Sequence, residues 1–95
     1  MKEAATDHRI RITVIGQEGD KQSIEMNIKE HLHQLAHKGL MALYGEPVPD
    51  AAKFDLVFRG TILLDLSLTI EQAGIKNGDE ISILPIEISR GNSQG

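Results

Sequence analysis

The sequence contains no cysteine and no tryptophan, and its aromatic side chains are limited to Tyr44, Phe54 and Phe58. Without cysteine there is no disulfide, no thiolate nucleophile and no cysteine-based zinc site, which suits a reducing cytoplasm. With so few aromatic rings, we expect neither base stacking on nucleic acid nor a large aromatic pocket for a ligand. The core of the protein is therefore expected to be aliphatic.

Positive charge and long apolar runs are also scarce. The 95 residues include 14 acidic and 10 basic side chains, and the formal net charge of −4 provides no broad positive surface for nucleic acid or an anionic membrane. No segment approaches the ~18 apolar residues of a membrane-spanning helix, and residues 1–8 are too polar for a signal peptide. We expect a soluble cytoplasmic protein with no nucleic-acid or membrane partner.

The first part of the chain has the alternating pattern of a β-hairpin. Ile10, Ile12 and Val14 alternate with polar residues, and Ile24 and Met26 do the same after a turn that contains two glycines. A period of two residues places these side chains on one face of two half-buried strands. The short connection with its glycines predicts that the two strands pair antiparallel.

The pattern then changes to the period of an amphipathic helix. Its apolar positions are Ile28, Leu32, Leu35, Ala36, Gly39, Leu40 and Leu43. Asn27 and Glu30 have the spacing of a capping box, which predicts a helix that begins near residue 28, and Gly45 predicts its end. Gly39 costs about 1 kcal/mol relative to alanine inside a helix, which predicts either close packing against the sheet or a break there.

The second part of the chain returns to strand patterns, at residues 54–58, 62–64 and 80–84. Residues 67–74 have the apolar spacing of one helical turn. The order ββαββ, with a short helix before the last strand, predicts an α+β domain over residues 9–85, in which a mixed β-sheet packs on one main helix. In this order the first and last strands are parallel neighbours. Residues 1–8 are expected to be a flexible N-terminus and residues 86–95 an extended C-terminal tail.

Three stretches of the second half carry a resemblance to a known family. They are Leu-Val-Phe-Arg-Gly at 56–60, Leu-Thr-Ile-Glu-Gln-Ala-Gly-Ile at 68–75 and Asn-Gly-Asp-Glu-Ile-Ser-Ile-Leu at 77–84. With these motifs, the sequence from Arg9 to about Gly91 resembles ubiquitin. The resemblance implies a ubiquitin-like β-grasp fold, which occurs in conjugated modifiers, sulfur carriers and non-covalent interaction modules.

The resemblance implies the function of a protein modifier and not of an enzyme. In such modifiers an activating enzyme adenylates the terminal glycine carboxylate with ATP and transfers it to an enzyme cysteine as a thioester. A conjugating enzyme then joins it to an amine of a target protein through an isopeptide bond. The corresponding residue here is Gly95, or Gly91 if a metal-dependent processing and deconjugating protease removes the residues after it. The protein itself is expected to hold no cofactor.

The sequence lacks a Gly-Gly pair at both of these candidate termini. This departure favours a divergent, bacterial type of modifier over ubiquitin itself. It also counts against a sulfur carrier that ends as a thiocarboxylate. The main alternative is a non-covalent interaction module, such as an accessory subunit of a secretion system or an oxygenase.

Residues of the predicted tail are candidates for recognition by the activating enzyme. Ile86 and Ile88 alternate with polar residues, so an extended tail could lie in a groove of that enzyme together with Arg90. The alternative is that both isoleucines pack on the domain as an extra strand.

A second candidate contact site follows from the resemblance. The surface that ubiquitin receptors contact corresponds here to Val57, Ser82 and Leu84, which we call the partner patch. Exposed apolar side chains are also common on surfaces that bind no partner, so both interpretations stay open.

The polar clusters of the sequence do not predict catalysis. His33 and His37 have the i, i+4 spacing of a zinc-binding helix, but the glutamate of the His-Glu-x-x-His motif is missing and a third ligand is not evident. We interpret them as a solvated helix flank, and no metal site is predicted. Four acids are interpreted as turn formers and not as metal ligands: Asp50, Asp55, Asp65 and Asp79.

Overall fold

The computed structural model describes residues 8–91. Its elements in chain order are β1 (Arg9–Ile15), β2 (Lys21–Asn27), α1 (Leu32–Tyr44), a 3₁₀ turn (Ala51–Lys53), β3 (Phe54–Phe58), β4 (Thr61–Ile62), β5 (Glu80–Pro85) and α2 (Ile86–Ser89). Most of the predicted flexible N-terminus lies outside the described residues. His8 is already bonded to the domain, because its carbonyl accepts the N–H of Ile28 at 3.0 Å.

The five strands form one mixed sheet in the order β2-β1-β5-β3-β4. The central pair, β1 and β5, is parallel, with Val14 beside Ile81, and the other neighbours are antiparallel. The predicted α+β architecture is therefore confirmed, including the parallel pairing of the first and last strands. On one face the sheet packs against α1, and the buried apolar side chains between them are all aliphatic, as predicted. They are Ile12, Val14, Met26, Leu32, Leu35, Ala36, Leu40, Leu56, Ile70, Ile75, Ile81 and Ile83.

The main helix begins four residues later than the Asn27–Glu30 spacing predicted, at Leu32. The predicted contact does form, since the Asn27 N–H donates to Glu30 Oε2 at 3.0 Å, but it closes a turn. In a helix from residue 28 the Leu32 N–H would bond to the carbonyl of Ile28. Instead it donates to the carbonyl of Leu68 at 2.8 Å. Other N–H groups of the loop that contains Leu68 donate to the carbonyls that precede the helix. Tertiary hydrogen bonds therefore set the start of α1.

Gly39 lies where α1 packs most closely on the sheet, as its position in the pattern predicted. A Cβ at this residue would overlap the Cδ1 atom of Ile83 and lie 3.1 Å from Cγ1 of Val14. The helix continues past Gly39 without a break and ends at Gly45, whose φ of 74° is favourable for glycine and whose N–H donates to the Met41 carbonyl. Gly39 is therefore required by packing.

Gly39→Ala should lower the free energy of unfolding by about 1–2 kcal/mol, because overpacking outweighs the better helix propensity of alanine. Ile83→Val removes the overlapping methyl group and alone should cost about 1 kcal/mol. In the double variant the valine makes room for the new Cβ, so urea unfolding should show a favourable coupling of about 1 kcal/mol. Additive effects of the two substitutions would contradict this packing.

The segment between β4 and β5 contains the predicted helical turn. The Ala73 N–H donates to the carbonyl of Thr69 at 3.0 Å, the spacing of an α-helical hydrogen bond. Thr69 and Gln72 cap this turn reciprocally: the Thr69 N–H donates to Gln72 Oε1 and the Gln72 N–H donates to Thr69 Oγ1. β4 is shorter than predicted, at two residues, and it follows a tight turn in which Arg59 and Gly60 both have positive φ.

Candidate interaction surface and C-terminal segment

The partner patch lies on the face of the sheet that is turned away from α1. Val57 and Ser82 are direct neighbours across β3 and β5, and Leu84 follows two residues later on the same face. Their sequence neighbours Leu56 and Ile83 point into the core and are almost fully buried. All three patch residues are partly exposed. The structure therefore brings these three predicted residues together on one surface.

Ile15 belongs to the same surface, although the sequence analysis did not select it. It pairs with Ser82 across the parallel strands β1 and β5, so Ser82 is flanked by Ile15 on one side and Val57 on the other. An open depression of about 410 Å³ borders these residues, with Arg59 and Glu80 at its rim. The outward position of Ile15 in the alternation of β1, combined with the predicted parallel pairing of the first and last strands, was the signal that could have identified it.

The C-terminal segment is folded, so the prediction of an extended tail is wrong for its described part. Residues Ile86–Ser89 form α2, a single helical turn directly after Pro85. The Arg90 N–H donates to the carbonyl of Ile86 at 3.0 Å. The alternative of an extra strand is wrong as well. Ile86 is partly buried, while Ile88 remains 54% exposed.

Asp55 holds this segment in place. Its carboxylate receives two hydrogen bonds from the Arg90 guanidinium, Nε to Oδ2 and NH2 to Oδ1, each at 2.9 Å. The Ser89 hydroxyl also donates to Oδ2, at 2.5 Å. The Arg90 guanidinium and the Ser89 hydroxyl hold the pKa of the Asp55 carboxyl below its usual value, although burial acts in the opposite direction. We call these three residues the Asp55 cluster.

Asp55 is therefore not a turn former, and that part of the prediction is wrong. The prediction of turn formers is correct for the three acids that were grouped with Asp55. Asp50 accepts the N–H of Ala52, and Asp79 accepts the N–H of Lys76 at 2.8 Å. Asp65 accepts both the N–H and the hydroxyl of Ser67, and these bonds hold the pKa of its carboxyl below the usual value.

Comparisons with known proteins agree with this architecture. No protein-family model matches the sequence, and no curated protein matches it either. Solved structures do match, and one is the ubiquitin-like domain of an Arabidopsis thaliana protein. Its TM-score is 0.71 at 20% identity, over 94% of this chain and 89% of that one.

The fold is the ubiquitin-like β-grasp. The ubiquitin of Caldiarchaeum subterraneum is also similar, with a TM-score of 0.66 at 18% identity, over 81% of this chain and 92% of that one. A designed protein based on ubiquitin matches with a TM-score of 0.67 at 17% identity, over 93% of this chain and 96% of that one. At these identities the likeness establishes the β-grasp fold alone.

Of the two candidate termini of this β-grasp protein, only Gly91 lies among the described residues. It is exposed, follows Arg90 directly and has a φ of 63°, a conformation that glycine adopts without strain. Apart from Gly91 and its chain neighbours, no atom of residues 8–91 lies within 4 Å of the position that a Cβ would take. Gly95 lies outside the described residues, so its place relative to the β-grasp domain is not described.

The histidines of the β-grasp helix lie at its surface. The rings of His31 and His33 stack at 5.5 Å between centroids, and the Nδ1–H group of His31 donates to the carbonyl of Ser67 at 2.7 Å. His33 and His37 are exposed, which agrees with a solvated helix flank. Within residues 8–91, no three histidine, aspartate or glutamate side chains are grouped as metal ligands would be.

The helices of the described region are short. Over residues 8–91, none has the length and apolar character that crossing a membrane requires.

Proposed function

We propose that this β-grasp protein is a covalent protein modifier that is activated at a glycine carboxylate of its C-terminal segment. The observation that carries the proposal is the position of Gly91. The chain leaves the sheet at the end of β5 and reaches an exposed glycine only six residues later. The carboxylate of a glycine is accessible to attack because no Cβ shields it. Gly95 is the candidate conjugation terminus, and Gly91 is the candidate after processing.

In this proposal the protein is the substrate of other enzymes. A partner activating enzyme consumes ATP to adenylate the carboxylate and then carries the protein as a thioester. A conjugating enzyme transfers it to a target amine, and a metal-dependent protease processes or removes it. The activating enzyme is proposed to bind the side chains of Ile86, Ile88 and Arg90, which lie within the five residues before Gly91.

The direct test combines the purified protein, ATP and an activating enzyme from the same organism. We expect a covalent adduct that requires ATP and is released by a thiol, detected by intact mass spectrometry. An activating enzyme whose active-site cysteine is replaced by alanine is the matched control and should give none. If no activating enzyme of the organism yields the adduct, the proposal is wrong.

The partner patch favours a second candidate function, a non-covalent interaction module. Ile15, Val57 and Leu84 form a partly exposed apolar surface around Ser82, and an apolar surface of this kind suits contact with another protein. The β-grasp fold does not distinguish a covalent modifier from an interaction module, since it occurs in both.

Val57→Asp should abolish partner binding if the protein is such a module, because the new carboxylate would have to be desolvated in the contact. Binding of partners from a lysate of the organism, quantified by mass spectrometry, should then survive truncation after Pro85. Ser23→Asp is the matched control, at an exposed position of the edge strand β2 that pairs with Thr13 and not with a residue of the partner patch. Binding that survives Val57→Asp but requires the residues after Pro85 would instead support the modifier.

A further inference from the structure

Among residues 8–91, Asp55 is the one polar or charged residue that is buried. It lies in β3 beside Leu84 of β5, on the same face as the partner patch. Here α2 contacts β3 and β5, and Ser89 and Arg90 bind Asp55. A buried carboxylate on a sheet face requires hydrogen-bond partners, and here both oxygens are satisfied by the C-terminal segment.

Within residues 8–91, the hydrogen bonds between side chains of the C-terminal segment and of the sheet are those of the Asp55 cluster. A four-residue helix has no stability of its own in water, and of its two isoleucines only Ile86 is partly buried. The bidentate contact with Arg90 is therefore the interaction that decides whether the segment is folded. The Arg90 side chain is also 49% exposed, so a protein that binds this segment can reach it from solvent.

We propose that the Asp55 cluster is a latch that holds the C-terminal segment closed, and that an enzyme which acts on Gly91 must first release Arg90 from Asp55. The second half of this inference rests on the modifier function proposed above. In the closed state the helical turn advances only ~1.5 Å per residue along the chain. In the open state the same residues would extend by ~3.3 Å per residue and carry Gly91 away from the sheet.

The latch itself can be tested with trypsin, which cleaves after arginine and requires an extended, accessible segment. The closed segment is not extended, because the backbone before the cleavage site is helical, and the Arg90 guanidinium that trypsin must bind is held by Asp55. Proteolysis of a native protein at such a site follows the population of its open form. Asp55→Asn should raise the rate of cleavage after Arg90 by roughly tenfold or more, since charge-assisted bidentate bonds are among the stronger ones. Loss of residues 91–95 is followed by intact mass.

Two further variants make this test specific. Arg90→Lys keeps the trypsin site and the charge but loses the bidentate geometry, so it should also speed cleavage, without any change in the sheet. Asp79→Asn is the matched control, because Asp79 is partly buried and forms an ion pair with an arginine, Arg59, but directly precedes β5, at the end opposite to the Asp55 cluster. It should leave cleavage after Arg90 unchanged. Equal rates in the wild type, Asp55→Asn and Arg90→Lys would overturn the latch.

The role of the latch in modification is measured separately. If the wild-type protein forms the ATP-dependent adduct, Asp55→Asn should form it severalfold faster under single-turnover conditions, and an unchanged or slower rate overturns this role. In that experiment the variant keeps Arg90 available for recognition. If the wild type forms no adduct, the modifier function fails and the role in activation fails with it. The latch itself is then still decided by the trypsin rates.

Discussion

Deletion of Gly95 should abolish the thiol-labile adduct with the activating enzyme if the full chain is the active form. The deletion places the reacting carboxylate on Gln94, whose Cβ narrows the approach to the carbonyl and obstructs entry into a channel that accepts glycine. The fold should not change, because the buried core side chains lie between Ile12 and Ile83. The measurement is the fraction of activating enzyme that carries the adduct in non-reducing gels and intact mass spectra.

Deletion of residues 92–95 is the paired experiment, because it leaves the carboxylate on Gly91. If processing occurs after this residue, the shortened protein should form the adduct faster than the full chain. Gly91→Ala in the shortened protein should then remove the adduct, because the added Cβ obstructs the approach to the carbonyl. An adduct that persists in all of these variants would show that neither glycine is the reactive terminus.

Leu35→Ala should lower the free energy of unfolding by about 2–5 kcal/mol, a large share of the total for a small domain. The Leu35 side chain is fully buried on the face of α1 that packs on the sheet, so its removal leaves a cavity among aliphatic neighbours. With no disulfide and no buried aromatic ring in its core cluster, the domain depends on such contacts. Urea or thermal unfolding monitored by circular dichroism measures the loss.

His37→Ala is the control for this substitution. It changes the same helix to the same residue at an exposed position, so it should alter stability by no more than about 0.5 kcal/mol. Loss of less than about 1 kcal/mol in Leu35→Ala would contradict the placement of α1 on the sheet.

Local patterns accounted for the strands and for the end of the helix. The alternation of Ile10, Ile12 and Val14 set the inward face of β1, and the buried side chains of the structure follow it. Gly39 and Gly45 were also correctly placed, the first at a close helix–sheet contact and the second at a helix end. These features depend on neighbours within a few residues, where periodicity and backbone conformation act directly.

The start of α1 depends on contacts that are distant in sequence. The Asn27–Glu30 spacing was a valid local signal, and its hydrogen bond forms. The residues that follow it bond instead to the loop at 66–71, which becomes their neighbour only when the chain folds back across the sheet. Short-range propensity is a weak preference, and tertiary hydrogen bonds outweigh it at this helix end.

The sequence by itself determined the class of this protein: an aliphatic α+β domain with parallel terminal strands and a β-grasp element order, because these follow from period and order along the chain. Only the tertiary structure decided the state of the C-terminal segment. The partner that folds it, Asp55, is 35 residues away from Arg90 in sequence and meets it only because β3 and β5 are neighbours in the sheet. The single charged residue of this otherwise apolar strand gives no local sign of such a contact, because the energy of the contact arises from burial of the carboxylate.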